Sequence, residues 1–250
     1  MHLEEFARGN SFLHRIDPRV KIITATPYIF LIALITGING PLIGLLFSIV
    51  MVLFAGLNIK NLLNRLLGVN AFIFLLWIFL PFSYPGDAIF YIGPLKATRE
   101  GLLYVLSITL KANAIVIATI AILGTSELFS LAHALVHFKV PKKLIHLFFF
   151  FYRYISVLHE EYVRLKRSIT IRAFQPRTNM HTYRTYAYLV GMLIVRSYDR
   201  SQRIYQAMLC RGFKGKFPIM SHFEAKKGDV LFGLVMALMI FIIGLASRNG

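Results

Sequence analysis

Two arginines, Arg172 and Arg211, each stand before a small residue and a phenylalanine, in Ile171-Arg172-Ala173-Phe174 and Cys210-Arg211-Gly212-Phe213. A guanidinium is planar and permanently charged, and it meets a carboxylate through two parallel N–H bonds. An arginine carried on a helix end therefore suits an acidic groove on another protein. The local alternative is a cation offsetting the helix dipole, worth about 0.3–1 kcal/mol. Two copies of one pattern at two helix ends favour the docking role over the dipole role.

Other chemistry-bearing residues are sparse. His133 and His137 are four apart on a predicted helix, so both imidazoles share a face, but HxxxH without a glutamate is an ordinary surface or interface pair. Met1-His2 offers an amine and an imidazole with no supporting ligands. Lys111 lies inside an apolar stretch beside Asn113, where a cation is costly and faces protein or water; a neighbouring helix or a partner subunit suits it better than a transported ion. Asp17-Pro18-Arg19 reads as a helix start, with Asp as N-cap and Pro at the first helical position. Gly212-Phe213-Lys214-Gly215-Lys216-Phe217 lacks the spacing and hydroxyl of a nucleotide-binding Gly-x-x-x-x-Gly-Lys-[Ser/Thr] loop. No span carries a carboxylate pair, a Ser/His/Asp set or a metal cluster. Neither a metal site, a cofactor nor a catalytic residue is expected.

The elements that must position the arginines are written in charge and hydropathy. Hydrophobic residues make up 57% of the 250 and mean hydropathy is +0.64, above soluble domains. Five apolar stretches follow, at residues 22–38, 42–57, 69–82, 102–123 and 230–246, each near the ~20 residues that cross ~30 Å of hydrocarbon. Residues 58–68 read as a loop holding Lys60 and Arg65, and 83–99 as a Gly/Pro-rich loop on the opposite side. Of 28 lysines and arginines, 18 fall in residues 125–227 against 5 of 11 acids, a net +13 out of +17. The positive-inside rule then puts that stretch and the N-terminus in the cytosol. The setting favours anionic headgroups and an acidic protein partner over nucleic acid. Cys210 is the single cysteine, so no internal disulfide forms, and the start of the chain has no apolar core of a signal peptide.

Within the basic stretch, residues 127–138 predict a short helix that stops before Pro141. Residues 142–174 predict a long one, with Leu158, Tyr162, Leu165, Ile169 and Ala173 on a single face. A second long helix from about Thr182 places Ile194, Tyr198, Tyr205 and Met208 on one face and Arg196, Arg200 and Arg203 on another, and Gly212 stops it. The class is an all-α integral membrane protein, about five transmembrane helices plus a long cytosolic helical hairpin. Its parts are residues 1–123, 124–228 and 229–250.

These pieces, in this order, resemble the transmembrane T component of energy-coupling factor transporters, the EcfT/CbiQ family. Leu13-His14-Arg15-Ile16-Asp17-Pro18-Arg19-Val20-Lys21, Gly124-Thr125-Ser126-Glu127-Leu128, Val140-Pro141-Lys142-Lys143-Leu144 and Val195-Arg196-Ser197-Tyr198-Asp199-Arg200 carry the likeness over nearly the whole length. The resemblance implies Ala-Arg-Gly-like motifs that end two coupling helices and dock on a pair of ATP-binding-cassette ATPases. Here they correspond to Ile171-Arg172-Ala173 and Cys210-Arg211-Gly212, with Ile171, Ala173 and Cys210 departing from the pattern around intact arginines. It further implies a non-catalytic subunit of a multi-pass bacterial or archaeal cell membrane importer, beside a substrate-binding membrane subunit. The start of the chain is most like the cobalt-uptake branch; nickel or a vitamin is the alternative cargo. A lipid-modifying enzyme would need acids at the membrane surface, and Glu127, Glu160, Glu161 and Asp199 form no metal-binding set. An independent channel would need polar residues in its spans.

Overall fold

The computed structural model describes residues 6–7, 9, 11–92, 95–138, 140–215 and 227–248. Met1-His2 and Lys216-Phe217 lie outside them. After a single 3₁₀ turn at Leu13–Arg15, the chain runs through α1 (Pro18–Leu34), α2 (Asn39–Ala55), α3 (Ile59–Ser83), β1 (Ala88–Ile92), β2 (Leu95–Thr98), α4 (Arg99–Ile122), α5 (Leu128–His137), α6 (Lys142–Ile171), α7 (Met180–Cys210) and α8 (Lys227–Arg248). The chain is an all-α membrane protein with one small addition. The segment expected as a plain loop after α3 contains an antiparallel hairpin, β1 against β2, with Tyr91 opposite Lys96. A second difference concerns Lys60 and Arg65, which lie in α3 and not in a loop. Gly56 ends α2 in the left-handed conformation and Asn58 caps α3 two residues later, so the connection is a tight turn.

Two compact units divide the chain, one of residues 2–135 and 223–250 and the other of residues 136–222. In the first, α3, α4 and α8 are long and apolar enough to cross a membrane. The helices α1 and α2 have 17 residues each, the lower end of the spanning range. The core lies around α4, which packs on α1, α2 and α3, while α8 packs on α1 and α2.

The core is apolar, as in a soluble bundle, and so is much of the outer surface. Phe72, Phe74 and Phe79 of α3 and Leu231, Leu234, Leu238 and Phe241 of α8 are exposed. Several polar side chains face inward and are satisfied there. The Tyr28 hydroxyl lies 2.7 Å from the Gly44 carbonyl and 2.8 Å from Ser48 Oγ, and Ser48 Oγ reaches the Ala114 carbonyl at 3.0 Å. That knot joins α1, α2 and α4. It needs the close approach that Gly44 allows, since a Cβ there would sit 2.7 Å from Ile32 Cδ1. Asn70 and Asn113 exchange reciprocal 3.0 Å amide bonds and Trp77 Nε1 donates to Thr109 Oγ1 at 3.0 Å, pinning α3 to α4. In hydrocarbon an unmade hydrogen bond has no water to replace it, so these bonds set register.

At one end of the bundle, Lys21 is fully buried and donates to Ser126 Oγ at 2.6 Å and Thr125 Oγ1 at 3.0 Å. The Asp17 carboxylate caps α1 at the Arg19 amide, as its sequence predicts, and the Asp17 amide donates to Asp229 Oδ1 at 2.9 Å on α8. The residues that open the chain thereby tie α1 to the end of α4 and to the start of α8.

Ser48→Ala should lower the stability of the purified chain by about 1–2 kcal/mol. Thr26→Val, whose hydroxyl bonds only the Ile22 carbonyl of its own helix at an exposed site, should leave it unchanged. Melting both variants in one detergent tests the knot, and equal melting temperatures would contradict it.

Candidate functional site

Both arginine motifs end their helices in the same way. At the end of α6 the Phe174 amide donates to the Ile169 carbonyl at 3.2 Å and the Ala173 amide to Thr170 at 3.0 Å. At the end of α7 the Phe213 amide donates to Met208 at 3.0 Å and the Gly212 amide to Leu209 at 2.9 Å. Each pair, a 6→1 bond enclosing a 5→2 bond, is a Schellman cap. Arg172 and Arg211 occupy the same C-cap position, and the next residue turns left-handed, Ala173 at φ 58° and Gly212 at φ 78°. The small residue thus meets a backbone requirement. A Cβ at Gly212 would meet open space, so only its φ selects glycine.

The side chains are free to reach outward. Arg172 and Arg211 are exposed, and neither guanidinium has an ion-pair or hydrogen-bond partner among the described residues. Ile171 is 85% exposed, an unusual position for so apolar a side chain. Cys210 is also exposed.

The unit carrying these ends is an antiparallel pair of helices. Near the turn, Phe174 packs edge-on to Tyr186 at 5.8 Å. Farther along, Phe150, Tyr154, Val157 and Leu158 of α6 face Ser197, Arg200, Ile204 and Met208 of α7 across a groove of about 300 Å³. Arg172 therefore lies at the turn and Arg211 at the far end of α7, about 45 Å away along a helix rising 1.5 Å per residue. The two motifs are alike and are not brought together.

Glu161 locks the pair. It is 7% exposed, and its carboxylate pairs with Arg196 Nη1, with Arg164 at 3.7 Å and with Arg200 at 3.9 Å. The hydrogen bond from Arg196, followed by the charges of Arg164, Arg196 and Arg200, holds the Glu161 carboxyl below its ordinary range against the opposing effect of burial. The arginine face of α7, predicted as its polar side, thus turns toward α6. Of the predicted apolar face, Ile194, Tyr198 and Tyr205 are 64%, 63% and 49% exposed, while Met208 lines the groove. On α6, Leu165 is buried and Leu158 lines the groove, as the periodicity indicates. Sequence alone lists Glu161, Arg196 and Arg200 without pairing them; the signal is an arginine pair at i, i+4 facing a helix with only two acids. His133 is buried in α5, and no group of three His, Cys, Asp or Glu among the described residues could hold a metal.

The model of the CbiQ family, described as cobalt transport protein, matches residues 9–222. Relatives of similar length agree with it. An energy-coupling factor transporter transmembrane protein EcfT from Streptococcus equi subsp. equi is 25% identical over 265 aligned residues, covering 99% of this chain and 97% of that protein. An EcfT from Thermosediminibacter oceani is 25% identical, covering 84% and 83%. An uncharacterized protein of Methanocaldococcus jannaschii is 27% identical, covering 98% and 86%.

Because the Glu161 carboxyl is held low when folded, its contribution is complete above the ordinary glutamate value of 4.5 and fades as pH falls through the lower folded value. Glu161→Gln should accordingly loosen the helix pair at neutral pH, seen as faster amide exchange across α6 and α7, and should differ little from the parent once both are strongly acidified. Ala173→Gly should stabilise the end of α6, and Gly212→Ala should destabilise the end of α7, by about 1 kcal/mol each. Amide exchange at Phe174 and Phe213 reads both; an unchanged rate in either variant would contradict the shared cap.

Proposed function

The chain belongs to the CbiQ family of cobalt transport proteins, and on that premise we propose that it is the non-catalytic coupling subunit of an energy-coupling factor importer. Its partners are two cytosolic ATP-binding-cassette ATPases and a separate substrate-binding membrane subunit. ATP hydrolysis takes place in the ATPases. Cobalt is the proposed cargo, following the family description. The N-terminus and residues 124–228 face the cytosol, as their excess of lysine and arginine favours. Residues 1–123 and 229–250 form the membrane part.

The observation that carries this reading is the pair of like arginine-bearing caps at opposite ends of one helix pair. Arg172, flanked by Ile171 and Ala173, engages one ATPase; Arg211, flanked by Cys210 and Gly212, engages the other. A separation of about 45 Å suits two separate subunits better than one groove. When ATP draws the ATPases together, both ends move. A pair of helices locked by Glu161 to Arg196 and Arg200 passes that motion on as a body. The cargo-binding subunit tilts in response between its inward and outward states.

Removing one buried charged partner commonly costs about 2–5 kcal/mol. Arg172→Ala and Arg211→Ala should therefore each weaken retention of the ATPases or uncouple hydrolysis from uptake, with membrane insertion intact. Lysine at either position should restore function in part, since it keeps charge and loses the planar fork. The measurement is ATPase retention and cobalt uptake on the same purified complex. A double alanine variant with parental values of both would reduce these residues to ordinary helix-end cations.

A further inference from the structure

Lys111 is the thirteenth of 24 residues in α4, a helix long and apolar enough to span the membrane. Its Cα lies about 18 Å from one end of the helix and about 16 Å from the other, close to the middle of ~30 Å of hydrocarbon. A four-carbon side chain cannot climb that far to lipid headgroups. The residue is half-exposed, and no hydrogen bond or ion pair engages it among the described residues. Its polar neighbours on α4 are already occupied. Ser107 donates to the Gly37 carbonyl, Thr109 accepts from Trp77, and Asn113 pairs with Asn70.

Charged residues at this depth are costly and occur where protein or water pairs with them. This chain cannot supply the counter-charge. Its eleven acids are Glu4, Glu5, Asp17, Asp87, Glu100, Glu127, Glu160, Glu161, Asp199, Glu224 and Asp229, and none falls inside an apolar span. The nearest on α4, Glu100, is in the first turn. A second copy is excluded on the same ground. A permeating metal cation is excluded by repulsion. Tyr104, Ile108 and Ile115 lie seven and three residues before and four after Lys111, so the cation sits in an apolar stripe of one helix face.

We propose that Lys111 is an intramembrane docking cation for a carboxylate on a transmembrane helix of the partner membrane subunit. The inference rests on the reading of this chain as an assembly subunit and names the chemistry of one of its contacts. The apolar stripe packs on the partner helix, and the Asp or Glu of that helix neutralises the ammonium in a medium where a lone charge is unstable.

The test purifies the whole complex through a tag on this chain and scores the membrane partner and the ATPases separately. Lys111→Met should lose the membrane partner while keeping the ATPases, and Lys111→Arg should keep both. The isolated Lys111→Met chain should melt no lower than the parent, because an unpaired charge has been removed. Recovery of the membrane partner by Lys111→Met at the parental ratio would overturn the proposal. A diazirine analogue of lysine at position 111 keeps the charge in the assembled complex. It should crosslink to an Asp- or Glu-containing transmembrane peptide of the partner; crosslinks to lipid or to this chain alone would overturn it. A parental complex that holds the membrane partner without ATPases would contradict the coupling function alone, and loss of that partner in Lys111→Met would still uphold the docking.

Discussion

An α-helix cannot satisfy its own last carbonyls, and the way this chain settles that problem fixes where its arginines are. A Schellman cap needs a residue in the left-handed region after the last helical one. At Ala173 and Gly212 the backbone makes that turn, and the residue before it is carried at the outer rim of the helix end with its side chain unobstructed. The arginine position follows from the hydrogen-bonding demand of the backbone. Ala173 accepts a left-handed conformation that costs an L-residue about 1 kcal/mol, while Gly212 reaches it freely. The two ends share a geometry and differ in strain.

The same demand, that every backbone and side-chain polar group find a partner, organises the membrane unit. Tyr28, Ser48 and Ala114 meet where three helices cross, and Asn70 with Asn113 does the same for α3 and α4. The outer faces are left to phenylalanine and leucine. Between helices in lipid the hydrophobic effect is weak, so a few hydrogen bonds and the close contact at Gly44 decide which faces meet. In the helix pair the deciding contact is ionic: Glu161 reads the spacing of Arg196 and Arg200 and sets the register of α6 on α7.

Much of this was legible in the residues. Apolar runs and caps mark the helices closely: Asp17-Pro18 starts α1, Pro141 precedes α6, and Gly212 ends α7. The motif arginines were legible because the cap has a sequence signature. Misplaced were features that depend on what an element packs against. Lys60 and Arg65 read as loop residues because charge commonly ends a span, yet a helix can extend beyond hydrocarbon. Which part of the apolar side of α7 packs, with Met208 at the groove and Ile194, Tyr198 and Tyr205 exposed, is not legible, because periodicity identifies a face without saying what lies opposite. The pairing of Glu161 with two arginines some 35 residues away depends on helix register, which no local spacing encodes. The β1–β2 hairpin was hidden in a segment whose glycines and prolines signal only turns.

If the helix ends themselves are the docking points for the ATPases, the chain carries its own reporter. Cys210 is its one cysteine, is exposed, and directly precedes Arg211. The most direct measurement is the rate of maleimide labelling of Cys210 in the isolated chain and in the complex assembled with cysteine-free ATPases. Labelling should be fast in the isolated chain and strongly suppressed on assembly. Equal rates in the two states would contradict it.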